Sequence, residues 1–311
     1  MTYESILERA LLSYGLGGAP VTRLGGADNT NFRVDTPEQS YVLRLRTSGR
    51  LDEGMVASEL AWLSRLKSDT PLTLPEPVAN LEGELVTRVS TGGDAALCTL
   101  ITWMEGSIPP TVDALTPNQL SDMGALMARL HLHARRLDLP KAFERPTYDE
   151  AHFRGRLEVL VTALERAAPK HVDLSDFRTQ ANHVISRFTE LESAPEGYGL
   201  IHADFHSGNY LLSNDGVRII DFDRCGFGFY LFDLALALME LGKEQRSFFL
   251  KGYGTVAPLP IDYQALLQTF LCLAYLDNLG FLAANPEEWT HILGELPFVV
   301  RAFREALEAT S

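Results

Sequence analysis

The chain has 311 residues, 46% of them hydrophobic and 22% charged, which excludes a disordered or collagen-like polymer and allows one or two domains. With 27 Lys and Arg against 41 Asp and Glu, the net charge of −14 works against broad binding of nucleic acid or anionic membrane. Three widely spaced cysteines, Cys98, Cys225 and Cys272, offer neither a disulfide framework nor a CxxC metal site.

In chain order, Ile6, Leu7, Ala10 and Leu11 recur at helical spacing and predict a helix over 3–14, stopped by Gly15 and Gly17. The opening segment carries acids where a secretory signal needs bases. Short β-like runs follow at Val21–Leu24, Asn31–Val34, Tyr41–Leu45, Leu85–Val89 and Leu97–Trp103, separated by turn material such as GGADN, DTPEQ and LEGE. Between them, Val56, Glu59, Leu60 and Leu63 mark one face of a helix over 53–67. A proline-bearing connector follows Gly106. Thr116 then reads as an N-cap with Pro117 at the first helical position, ahead of Leu120, Met123, Met127 and Leu130. Further helices are expected near 148–167, 173–191, 231–251, 262–283 and 286–308. Residues 199–221 interrupt this helical series with a hairpin whose strands, YLL and VRII, are joined by Asn214-Asp215-Gly216. The apolar stretch Phe270–Ala284 is broken by Asp277 and Asn278, so no membrane span is expected. The pattern predicts a sheet-rich N-lobe over 1–103 and a larger, mainly helical C-lobe over 104–311. A reducing cytoplasm is the expected location.

The densest polar cluster is His202-Ala203-Asp204-Phe205-His206-Ser207-Gly208-Asn209, just before the hairpin, and Asp221-Phe222-Asp223 follows its second strand. Two carboxylates and an amide at the ends of one short hairpin are the set that phosphoryl transfer requires. One carboxylate can take a hydroxyl proton while hard oxygen ligands hold Mg²⁺. The competing reading of His202-x-Asp204-x-His206 as a metal-hydrolase cluster lacks a further ligand set at close spacing. The plainer account of both histidines is polar satisfaction of a tight loop.

Asp204-x4-Asn209 followed twelve residues later by Asp221 matches the catalytic-loop and metal-binding spacing of protein kinases. With the H-x-D-x-H-x-x-N string and I-D-F-D, the chain resembles the aminoglycoside phosphotransferase and choline kinase group of the protein-kinase-like superfamily. Asn29-Thr30-Asn31-Phe32 is similar to the loop of homoserine-kinase-like members. The resemblance implies a two-lobed α+β kinase-like fold, with ATP and Mg²⁺ as cofactors. It also implies an ATP-dependent phosphotransferase acting on a small-molecule hydroxyl.

By that resemblance Asp204 is the base, and Asn209 and Asp221 are the metal ligands, with Asp223 a candidate for a second Mg²⁺. Arg44 on Tyr41–Leu45 would hold phosphate, oriented by Glu59. Asn29, Thr30 and Asn31 would cover the nucleotide. The Thr102 carbonyl and Met104 amide of the hinge Leu100–Gly106 would pair with adenine, between Val42 and Ile220. Asp233 would brace the catalytic loop, and His131 would be a hydrogen-bonded support. A Walker A loop is missing, and Gly15, Gly17 and Gly18 follow a helix, so neither a P-loop nor a Rossmann fold is supported. Relative to protein kinases the phosphate loop has no G-x-G-x-x-G, the metal motif is Asp-Phe-Asp in place of Asp-Phe-Gly, and no Ala-Pro-Glu segment follows it. The acidity of residues 104–311 favours an amine-bearing acceptor such as an amino alcohol, aminoglycoside or homoserine-like compound. A protein Ser/Thr kinase of the bacterial stress-response type and a non-catalytic nucleotide-binding module are the alternatives left open. Oligomeric state is left open too.

Overall fold

The computed structural model describes residues 3–25, 30–47, 53–91, 94–167, 173–188, 197–259 and 263–308. In chain order, α1 (Tyr3–Ser13) leads to strands β1 (Val21–Gly25), β2 (Thr30–Asp35) and β3 (Ser40–Thr47), then α2 (Glu53–Asp69). Strands β4 (Pro77–Val78), β5 (Thr87–Thr91) and β6 (Asp94–Thr102) follow. Helices α3 (Pro117–Ala134), α4 (Glu150–Ala167) and α5 (Leu174–Ser186) precede β7 (Tyr198–Ile201), β8 (Tyr210–Ser213), β9 (Gly216–Ile219) and β10 (Gly226–Phe229). The described chain ends with α6 (Tyr230–Leu238), α7 (Lys243–Gly254), α8 (Tyr263–Leu282) and α9 (Trp289–Glu308). This is the α+β architecture expected from the sequence: an antiparallel sheet in the N-terminal part and helices dominating the rest.

Two compact units emerge. The first comprises 1–108, 138–145 and 210–223, and the second 109–137, 146–209 and 224–311. In the first unit the sheet order is β1-β2-β3-β6-β4, with β5 also paired to β6. Alternation along β3 decides which residues meet which helix. Leu43 and Leu45 join Ile6, Ala10 and Leu11 of α1 in a core with Phe32, Val34, Cys98 and Leu100. The intervening Arg44 and Arg46 point to the opposite face, where Val56 and Leu60 of α2 pack on Leu97. One β-strand thus serves an apolar core and a charged cluster at once.

The hairpin β8-β9 pairs Tyr210 with Ile219 and Ser213 with Gly216, so Asn214 and Asp215 alone form the turn. Gly216 opens the return strand and carries the positive φ, 128°. The sequence reading placed Gly216 in the turn itself. Ser107 exchanges backbone hydrogen bonds with Leu212 at 3.0 and 2.9 Å, docking the connector on this hairpin.

In the second unit, the side chain of Thr116 caps α3 as expected, accepting from the Gln119 N–H. Close contact between α3 and α7 depends on glycine. A Cβ on Gly124 would lie 1.9 Å from the Phe249 carbonyl oxygen, and one on Gly252 at 1.9 Å from that of Ser121. The single helix expected over 231–251 is two, α6 and α7, separated at Met239–Gly242. Gln245 Oε1 accepts from the Gly242 N–H at 2.9 Å and starts the second. Strands β7 and β10 pair antiparallel, Ile201 with Gly226, although the Gly-Phe-Gly-Phe of β10 carries no strand-like alternation. Helix α8 is long and apolar enough to cross a membrane, yet Phe270–Ala274, Leu276 and Leu279 are buried in the unit and Asp277 is wholly enclosed.

Candidate active site

Two clusters carry the polar chemistry, one in each unit. In the first unit Arg44 Nη1 lies 3.2 Å from Glu59 Oε1, the ion pair anticipated between β3 and α2. Arg44 Nη2 donates to Asp221 Oδ1 at 2.9 Å, and its Nε donates to Asn31 Oδ1 at 3.3 Å. Thr30 opens β2 beside Asn31, while Asn29 lies outside the described residues. Burial alone would lower the Arg44 pKa, but the carboxylates of Asp221, Glu59 and Asp223 raise it above its ordinary value. The guanidinium therefore stays charged although Arg44 is only 6% exposed.

A second arginine on the same face was not anticipated. Arg46 Nη2 lies 2.8 Å from Glu59 Oε2 and 2.7 Å from Asp223 Oδ1, and its Nη1 donates to Thr99 Oγ1 at 3.2 Å. Arg145 completes the group, donating to the Met55 carbonyl at 3.0 Å and to the Asp223 carbonyl. The position of Arg46, two residues beyond Arg44 on one strand, was a legible signal. Arg145 gave none, because it comes from a loop 86 residues beyond Glu59 in number and meets it only through folding. Phe222 packs edge-on against Trp62 of α2 at 5.5 Å, fixing the segment between Asp221 and Asp223. Asp221 has φ +64°, a conformation non-glycine residues adopt only when their surroundings impose it.

The remaining predicted residues of this unit are placed as follows. Val42 is half-buried on β3, paired with Arg33 and Ile101, and Ile220 is half-buried after β9. Thr102 ends β6. Its N–H donates to the Glu76 carbonyl and its Oγ1 accepts from the Glu76 N–H, both at 2.9 Å. Met104 is buried just beyond.

The second unit holds the catalytic-loop candidates. Asp233 is fully buried on α6. Its Oδ2 accepts from the His202 N–H at 3.0 Å and its Oδ1 from the Ala203 N–H at 2.8 Å. His131 Nε2 lies 3.0 Å from the same carboxylate, and His131 Nδ1 lies 2.9 Å from the Tyr253 hydroxyl. Burial pushes the Asp233 pKa up, but His131, His202 and the loop N–H groups outweigh it and hold it below the usual carboxylate range. This brace holds Ala203 at φ +60° and turns Asp204 outward from a rigid base.

Asp204 is one-fifth exposed at its side chain. Asn209 Nδ2 donates to Asp204 Oδ2 at 2.9 Å and to the Asp204 carbonyl at 2.9 Å. Arg224 Nη1 donates to Asp204 Oδ1 at 3.2 Å. Burial works against its charge, but His206 and Arg224 hold the Asp204 carboxyl below its ordinary pKa, so it is ionised at neutral pH. The histidines serve the loop: His202 Nδ1 accepts from the Asp204 N–H at 3.3 Å and His206 Nδ1 from the Gly208 N–H at 3.1 Å. Among the described residues no three His, Cys, Asp or Glu side chains converge as a cation cage.

The donor chemistry fits a hard cation. Asn209 commits its amide nitrogen to Asp204, which leaves Oδ1 without a protein partner among the described residues. Asp221 commits Oδ1 to Arg44, leaving Oδ2 likewise. Amide and carboxylate oxygens are the ligands Mg²⁺ takes.

The chain is similar in sequence and in fold to several kinases. The chain is 23% identical over 296 residues to the amicoumacin kinase of Bacillus subtilis (strain 168), 90% of this chain and 84% of that protein. It is 26% identical over 253 residues to a homoserine kinase of Polaromonas naphthalenivorans (strain CJ2), 78% of this chain and 74% of that one. The structure of a microcompartment-associated aminopropanol kinase matches with a TM-score of 0.80 at 24% identity, covering 98% of both chains. That of the amicoumacin kinase hAmiN in complex with AMP-PNP, Ca²⁺ and Ami matches at 0.82 and 21% identity, covering 100% of this chain and 94% of the other. These likenesses show the protein-kinase-like fold. The sequence profile of the phosphotransferase enzyme family matches residues 21–266, most of the length, and the chain belongs to that family of enzymes.

Proposed function

We propose that this phosphotransferase moves the γ-phosphoryl group of Mg·ATP to a hydroxyl of a small molecule in the cytoplasm. The observation that carries the reading is Asp204: an ionised, partly exposed carboxylate whose loop is braced by Asp233 and whose two oxygens are oriented by Asn209 and Arg224. In the transfer the acceptor oxygen forms a bond to the γ-phosphorus, the bond from that phosphorus to the β-bridging oxygen breaks, and ADP leaves. The acceptor proton passes to an oxygen of Asp204. Arg44, anchored by Glu59, supplies the cation offered to phosphate oxygens, and Thr30 and Asn31 are assigned to the phosphate side, together with Asn29 from outside the described residues. Thr102 and Met104 are assigned to the adenine edge, and Val42 and Ile220 to its faces. Asn209 and Asp221 are assigned to Mg²⁺, which neutralises phosphate charge when bound. The names of the relatives, kinases of amicoumacin, homoserine and aminopropanol, support a small-molecule acceptor over a protein.

The test is an ATP-consumption screen over amino alcohols, hydroxy acids, sugars, aminoglycosides and unfolded casein. ATP turnover dependent on a small hydroxyl compound and on Mg²⁺ is expected. Turnover with casein alone would overturn the small-molecule reading. Titration calorimetry of ATP should show that Asp221→Ala weakens the Mg²⁺ dependence of binding; equal dependence in wild type and variant would remove Asp221 from the metal site.

A further inference from the structure

The acidity of the C-terminal part points toward an amine-bearing acceptor, but the charges next to Asp204 run the other way. Asp277, on α8, is the buried carboxylate joined to Asp204 through a shared arginine, and both its oxygens are taken. Oδ1 lies 2.8 Å from Arg156 Nε and 2.6 Å from His152 Nε2, and Oδ2 lies 2.5 Å from Arg224 Nη2. Those contacts, led by Arg224 against the effect of burial, hold its pKa far below the usual carboxylate range. Asp277 is 0% exposed, so its oxygens, each already engaged by a cation, are closed to a substrate ammonium group.

The cations are differently placed. Arg224 spends one Nη on Asp204 and the other on Asp277. Arg156 spends only Nε on Asp277, so its two Nη groups meet no protein acceptor among the described residues, and a quarter of its side chain is exposed. Its guanidinium is also oriented from a second direction. The Arg156 Cζ stands 5.5 Å from the centroid of Phe281, and that of Arg224 stands 5.0 Å from the same ring. A buried carboxylate and an aromatic ring therefore hold a fork of N–H donors in place with its outer edge unused. That is the geometry a carboxylate takes in bidentate fashion. Because the fork is already oriented, binding such a group loses little side-chain entropy.

We propose that Arg156 is a specificity-determining residue that binds an anionic group, a carboxylate, on the acceptor whose hydroxyl proton Asp204 takes. The acceptor class is thus a hydroxyalkyl carboxylate, with or without an amine. Asp277 is the positioning residue that aims Arg156 and Arg224 together. The inference rests on the proposed function, since it takes Asp204 as the group meeting the hydroxyl.

A matched set of acceptors tests it. Homoserine carries a hydroxyl, an amine and a carboxylate; aminopropanol lacks the carboxylate, and γ-hydroxybutyrate lacks the amine. With the full-length protein and Mg·ATP, kcat/KM should be higher for homoserine and γ-hydroxybutyrate than for aminopropanol. Arg156→Ala should remove that preference through a KM for the carboxylate acceptors raised about 10- to 100-fold, the range expected for charge-assisted hydrogen bonds. Arg156→Lys, which keeps a positive charge beside Asp277 and guards against a folding defect, should restore the preference only in part. Equal or better use of aminopropanol by the wild type, or a preference that survives loss of Arg156, would overturn the proposal. Saturation-transfer NMR with γ-hydroxybutyrate separates this from the parent reading. Binding lost in Arg156→Ala supports the carboxylate site even if no acceptor is phosphorylated, a result that would sink the proposed function alone. Absence of binding to the wild type, without any transfer to a carboxylate acceptor, would sink the site.

Discussion

Arg46 Nη2 stands 2.7 Å from Asp223 Oδ1, linking the central strand of the first unit to the segment that follows the hairpin. Glu59 is shared between this arginine and Arg44, one oxygen to each. The three arginines Arg44, Arg46 and Arg145 balance Glu59, Asp221 and Asp223, a group of six charges that is mostly buried, with only Asp221 more than a third exposed at its side chain. Removing one member strands the others, and stranded buried charges are costly. Arg46→Met should therefore lower stability by about 3–5 kcal/mol, the range for breaking a buried pair. Urea unfolding of wild type and variant measures it, and a change under about 1 kcal/mol would show that Arg46 is dispensable to the network.

For the neighbouring pair, Arg44→Met and Glu59→Gln should be strongly non-additive in ATP affinity, because each single change already breaks the same contact. A coupling energy indistinguishable from zero would leave Arg44 without the anchoring role assigned to Glu59. Calorimetric titration of the two single variants and the double variant decides it.

Asp233 carries a pH prediction with a definite sign. Its folded pKa is depressed below the unfolded value of about 4. Its contribution is therefore complete above that value and is lost as pH falls through the lower folded pKa. Asp233→Asn should cost about 3 kcal/mol or more at neutral pH, since the carboxylate meets His131 and two loop N–H groups. The gap between wild type and variant should narrow below pH of about 4. Thermal melts from neutral to acid pH would show it, and a gap that widens on acidification would contradict the assignment.

At the crossing of α3 and α7, Gly124→Ala and Gly252→Ala each put a methyl against a backbone carbonyl at 1.9 Å. Backbone cannot turn aside as a flexible side chain does. Each substitution should destabilise by at least about 2 kcal/mol, within the overpacking range, despite the better helix propensity of alanine. Chemical unfolding of the two variants is the check; stability equal to wild type would mean that the helices separate freely.

Local patterns carried most of the fold. The strands around β3, the caps at Thr116 and the catalytic-loop spacing are all short-range signals, and so the elements of the sheet and the residues of the loop were legible. Glu59 was legible as a carboxylate in need of a partner, since it falls on the apolar face of α2, and the kinase resemblance supplied Arg44 as that partner. The break between α6 and α7 was missed because two of its four residues, Met239 and Leu241, are themselves apolar and so do not interrupt the apolar run that ends α6. Strand β10 was missed because its glycines exist to admit neighbours, with Gly226 against the Pro146 carbonyl, and so erase the alternation. The Arg156–Asp277–Arg224 cluster spans more than a hundred residues, and Asp277 read only as an interruption of an apolar helix. Nothing near it in the sequence announces its partners.

The central claim is that Asp204 receives the acceptor proton during phosphoryl transfer. Asp204→Asn keeps the size of the side chain and removes its charge and its capacity to take a proton. Single-turnover transfer and Mg·ATP affinity should be measured on one preparation of each protein. The account predicts ATP affinity within about twofold of wild type and transfer slowed about 10²- to 10⁴-fold, the range for loss of a general base. Transfer by the Asn variant at the wild-type rate would contradict it.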